Sequence, residues 1–188
     1  MNRLLALAAL ALMASGAQAD EVKPEPGSVL VFGQALGGRL GHVVNRCPRD
    51  PAKPSKVCWL SSPATTPGGG KSGLGKLPEQ YAPTWARYGL FEMFFERSGE
   101  LASMSIRGVP SEVRSDMLQS ISQRFGKPAS NYVYDGGSRL TWVAEGVEVE
   151  VICVSECTAN FNSSAFAQSI RKEVAERRQK EAARPKTP

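Results

Sequence analysis

The chain has 188 residues, with 23 Lys and Arg against 18 Asp and Glu, one His and four Cys, for a formal charge of +5. That length gives one domain with a sizeable core. A lone histidine, and cysteines separated by ten and three intervening residues, do not make a zinc knuckle, and no run after residue 19 is long and apolar enough to cross a membrane.

Residues 1–19 read as an export signal. Asn2-Arg3 is a positive start, LLALAALALMA is an apolar core too short for a bilayer anchor, and Ala17-Gln18-Ala19 is a small-x-small cleavage pattern. The mature chain is expected to begin at Asp20 and, with no cysteine near that site, to carry no lipid. The short signal has a bacterial form, which predicts a soluble product in the periplasm or outside the cell. In that compartment the four cysteines are expected as two disulfides. Three pairings are possible. Cys47–Cys58 and Cys153–Cys157 are preferred because short loops close most easily, and a loop of the 47–58 size contributes roughly 3 kcal/mol in the chain-entropy model.

Residues 20–27 are a proline-rich lead-in to a single domain over 28–170. SVLVFG, 28–33, is a short apolar strand. A glycine-rich stretch, 34–41, and the cysteine-bracketed CPRDPAKPSKVC follow. Residues 61–84 hold five glycines and four prolines without periodicity, which predicts a long Gly/Pro loop, mobile over 67–78.

LFEMFFER and the alternating segment 102–107 predict a hairpin turned at Ser98-Gly99. Ser111 is placed to cap a helix on which Val113, Met117, Leu118, Ile121 and Phe125 recur at helical spacing, stopped by Gly126. Leu140, Trp142 and Ala144, a Glu145-Gly146 turn and VEVEVICV predict a second hairpin. Phe166, Ile170 and Val174 predict a last helix. Residues 171–188 carry seven basic and three acidic side chains, so this tail holds the +4 that remains once Arg3 is removed, and the body is neutral. The expected class is α+β: a curved antiparallel sheet with helices packed on one face, ordered β-β-α-β-β-α over the C-terminal two thirds.

The succession VLVFGQALG, C…CW, FFERSGELASMSIRG, MLQSISQRFGKP and LTWVAEGVEVEV resembles uncharacterised small exported proteins of Gram-negative bacteria. Over 90–151 the layout is similar to the helix-plus-sheet modules of the β-lactamase-inhibitor-protein type and of small outer-membrane-assembly lipoproteins. The matching motifs are turn and core residues, so the resemblance implies a fold and no catalytic residue. The lipidation cysteine of the assembly lipoproteins is missing.

PGGGKSGLGKLP, 67–78, invites comparison with a phosphate-binding loop, which needs G-x4-G-K-[ST] between a strand and a helix. Gly70-Lys71-Ser72 would need Gly where Thr65 stands, and Gly70-x4-Gly75-Lys76 is followed by Leu77 in place of a hydroxyl residue. His42 is the one histidine a Ser-His-Asp or Cys-His arrangement could use, and no GxSxG elbow accompanies it. Glu148 and Glu150 lie about 7 Å apart on one strand face, a spacing suited to an inverting glycosidase pair, though acids on an outer strand face also keep it unpaired. Glu92 and Glu96 raise the same question. The basic tail has no aromatic residue to stack on bases.

The sequence therefore predicts a non-catalytic soluble periplasmic protein-binding module, of inhibitor, immunity or envelope-accessory type. Its contact residues are expected on the long loop: Lys71, Lys76, Tyr81 and Trp85. The expected partner is another periplasmic or secreted protein, with no nucleic acid, no stable membrane insertion and no cofactor or metal. The alternative is a small exported hydrolase using His42 or the Glu148/Glu150 pair.

Overall fold

The computed structural model describes residues 28–40, 43–48 and 54–183. The signal, the lead-in and His42 lie outside these residues. Eleven strands form one sheet: β1 (Val29–Val31), β2 (Gln34–Leu36), β3 (Cys58–Trp59), β4 (Ala64–Thr65), β5 (Lys71–Lys76), β6 (Leu90–Phe95), β7 (Leu101–Pro110), β8 (Ser130–Tyr134), β9 (Gly137–Ala144), β10 (Val147–Cys153) and β11 (Glu156–Ser163). Among the described residues two α-helices, α1 (Arg114–Phe125) and α2 (Ser164–Ala182), complete an α+β fold with a curved, open sheet. The main strand order is β3-β5-β6-β7-β11-β10-β9-β8, and the pairing is antiparallel except where β2 meets β7 at Leu36 and Leu101.

Alternation builds the core. Register places Phe91, Met93, Met104, Ile106, Ala159, Phe161, Val149 and Trp142 on one face, and all are buried. α1 covers this face with Met117 and Ile121, and Phe125 approaches Phe161 at a ring distance of 6.2 Å. The Trp142 Nε1–H donates to the Gly126 carbonyl at 3.1 Å. Gly126, at φ +81°, ends α1 as the sequence predicts. Ser111 does not cap α1. It opens a 3₁₀ turn, Ser111–Val113, that leads into the helix.

The structure differs from the expected layout in three respects. β8 and β11 are strands that the predicted order β-β-α-β-β-α lacks. β11, ECTANFNS, puts small Ala159 in its apolar row and Asn160 and Asn162 in its polar one, which lowers its strand signal. The helices also do not share a face. The Ser163 hydroxyl accepts from the Phe166 N–H, starting α2 directly at the end of β11. Phe166 then meets Phe94 at 5.0 Å, and Arg171 pairs with Glu148. Phe94 and Glu148 belong to the polar face, opposite α1. Too few apolar residues remain on α2 to compete for the core, so it rests on the rim of the polar face.

The third difference is the 61–84 segment. It contains β4 and β5 and leads into a 3₁₀ turn at Thr84–Tyr88, and β5 is held between β3 and β6. Half of the expected mobile loop 67–78, Lys71–Lys76, is a sheet strand. Two of its glycines serve close packing: a β-carbon on Gly75 would strike the Met93 methyl and lie 3.0 Å from the Cys58 carbonyl oxygen, and one on Gly73 would lie 3.1 Å from Pro63.

Both expected disulfides are present, Cys47–Cys58 with Cα atoms 4.9 Å apart and Cys153–Cys157 with Cα atoms 4.1 Å apart. Cys153 and Cys157 are direct cross-strand neighbours that clamp the β10–β11 turn.

Candidate functional site

The four expected contact residues do not form one site. Lys71 faces Phe95 and Lys76 faces Cys58 across opposite ends of β5. Five residues along a strand separate them by about 16 Å and put them on opposite faces. Tyr81 and Trp85 have structural work at the β1–β2 turn. The Tyr81 ring lies on Gly33, and Trp85, almost fully buried, meets Phe32 edge-on at 6.0 Å. Phe32 adopts φ +50°, uncommon for a bulky residue, and its ring also meets Phe161 edge-on at 4.9 Å. Tyr81 and Trp85 thus hold the N-terminal hairpin. Lys76 borders an open cleft that includes Arg87 and Leu90, and Lys71 borders a separate one beside Trp59 and Arg97.

Three carboxylates on the polar face are paired with arginines of the sheet or of α2. Glu148 pairs with Arg171, Glu150 with Arg139, and Glu92 with Arg107. The Ser72 hydroxyl also reaches Glu92 at 3.3 Å. Glu96 lies beyond the end of β6, at the hairpin turn. Between these pairs the Ser103 hydroxyl donates to Asn162 at 2.7 Å and the Ser105 hydroxyl to Asn160 at 2.8 Å. Glu92, Glu148 and Glu150 therefore each have an arginine partner, an arrangement suited to a fixed polar surface. Among the described residues no group of three His, Cys, Asp or Glu side chains could hold a metal ion, and no helix is long and apolar enough to cross a membrane.

The two edges of the sheet are treated differently. Beside β3, the 45–47 segment supplies a further parallel contact: the Cys47 N–H donates to the Trp59 carbonyl and the Trp59 N–H to the Asn45 carbonyl, each at 2.8 Å. The Cys47–Cys58 bridge ties that cover in place. At the far edge β8 pairs only with β9 among the described residues. All five residues of β8, SNYVY, are exposed, and none is charged. Tyr132 and Tyr134 stand side by side, ring centroids 5.9 Å apart, with Val143 of β9 exposed on the same face. Edge strands are commonly blunted by lysine, proline or a bulge, and β8 has none of these. The sequence signal for this strand is the hairpin dipeptide Asp135-Gly136 after the β-prone run Tyr132-Val133-Tyr134.

No protein-family model, curated protein or solved structure matches this chain.

Proposed function

We propose that this protein is a non-catalytic, exported protein-binding module that acts in the periplasm after removal of residues 1–19, as an inhibitor, an immunity-type neutraliser or an envelope accessory. It engages an extended segment of another periplasmic protein, which adds to the sheet along β8. The observation that carries this reading is the contrast between the edges: β3 is covered and tied by a disulfide, whereas β8 offers an uncharged outer edge with two neighbouring tyrosines. Strand addition draws affinity from main-chain hydrogen bonds and specificity from alternate side chains, and aromatic rings supply rigid contact area at low entropic cost. The ion pairs that occupy Glu148 and Glu150 favour this reading over hydrolysis by that pair.

The test compares the parent with Tyr132→Lys/Tyr134→Lys, which charges the edge without touching the core. A photo-crosslinker at Val133 in the periplasm should trap a protein partner in the parent. The double variant should lose that adduct while its melting temperature stays within a few degrees. An unchanged adduct would remove β8 as the contact. Absence of any adduct in the parent would refute binding through this edge.

A further inference from the structure

We infer a second site, independent of the β8 edge: the cleft between the end of the β5–β6 ribbon and the 78–89 segment binds a small apolar molecule bearing one carboxylate, a straight-chain fatty acid in kind. The cavity measures about 360 Å³, near the lower end of the range for small-molecule pockets. Leu77, Phe91 and Ile106, all buried residues, line its interior. Leu60 and Leu90 also line it, and they are 42 % and 58 % exposed, so the cleft presents apolar side chains to water.

The remaining lining selects the ligand. Its side-chain polar groups are three charges, Lys76, Arg87 and Glu79, and no Ser, Thr, Asn, Gln or Tyr side chain is among its described residues. A sugar, a nucleoside or a peptide would bury hydroxyl or amide groups there with few neutral partners, which is costly. An alkyl chain makes no such demand. Two cations against one carboxylate leave a net charge of +1, matched to a monoanion rather than to a phosphate ester of higher charge. Arg87 reaches Glu79 only at 3.9 Å, with both side chains more than half exposed, so that ion pair is weak and its arginine can turn to a second carboxylate. Lys76 has no carboxylate partner among the described residues. A bound carboxylate between them would accept charge-assisted hydrogen bonds at the mouth while its chain covers Leu60 and Leu90.

Titration of the oxidised chain with decanoate below its micelle concentration, followed by amide chemical shifts, tests the site. Saturable shifts should centre on 60, 75–77 and 86–91. Decyltrimethylammonium, with the opposite charge on the same chain length, should bind at least about tenfold more weakly. Lys76→Gln/Arg87→Gln should weaken decanoate about tenfold, the order expected for lost hydrogen bonds to a charged group, with the fold unchanged by circular dichroism. Ala86→Leu, which narrows the cleft, should weaken both ligands. No saturable shift, shifts centred elsewhere, or equal affinity for the two amphiphiles would each overturn the proposal.

Discussion

The ring of Tyr81 lies so close over Gly33 that a β-carbon on the glycine would sit 2.6 Å from Tyr81 Cγ. Gly33 also has φ +71°, next to Phe32 at φ +50°, so the β1–β2 turn uses the left-handed region at two consecutive positions. Gly33→Ala is expected to destabilise the fold by about 1–3 kcal/mol, through backbone strain and the clash together. In a Tyr81→Ala background the same change should cost less, because only the strain remains. Urea unfolding of the four proteins gives the coupling, and additive effects would show that the ring does not constrain the turn.

The glycines of 67–78 are not equivalent. Gly68 has nothing within 4 Å of an added β-carbon, whereas Gly75 has Met93 and the Cys58 carbonyl. Gly75→Ala should cost about 1–3 kcal/mol by overpacking, and Gly68→Ala should fall within about 0.5 kcal/mol of the parent. Amide exchange should show protection across the interior of β5. Exchange at rates typical of an unstructured chain there would contradict the strand.

The two disulfides should differ in consequence. Replacing Cys47 and Cys58 by serine opens the larger loop and should cost roughly 3 kcal/mol, against roughly 2 kcal/mol for Cys153 and Cys157. The first change also loosens the cover over β3, so it should promote self-association, which the second should not. Unfolding curves and light scattering on both double variants check this, and equal association by the two would remove the edge-cover role of the 45–47 segment.

α2 should divide into a docked start and a dispensable end. From Arg171 to Ala183 every residue but Val174 is exposed. Truncation after Glu176 should therefore change stability by no more than about 0.5 kcal/mol. Ser163→Ala, which removes the hydroxyl that accepts from the Phe166 N–H, should cost about 1 kcal/mol. A larger loss from the truncation than from the cap would place the end of the helix against the body.

The sequence alone determined the features that rest on local chemistry. Gly126 stops α1 because a positive φ suits glycine, the strict alternation of VEVEVIC makes a half-buried strand, and the two disulfides join the cysteines nearest in sequence. The tertiary structure decided what depends on who lies opposite. Gly73 and Gly75 read as loop residues until Pro63, Met93 and Cys58 are set against them, because the same missing side chain confers freedom in water and permits close approach in a sheet. Tyr81 and Trp85 read as contact residues until the β1–β2 turn comes under them. β8 has too few residues and no buried one, so it is held by pairing with β9 rather than by its own pattern. The Lys76–Arg87 cleft exists only because the 78–89 segment folds back over the end of β5 and β6, an arrangement fixed by long-range packing and invisible to any local spacing.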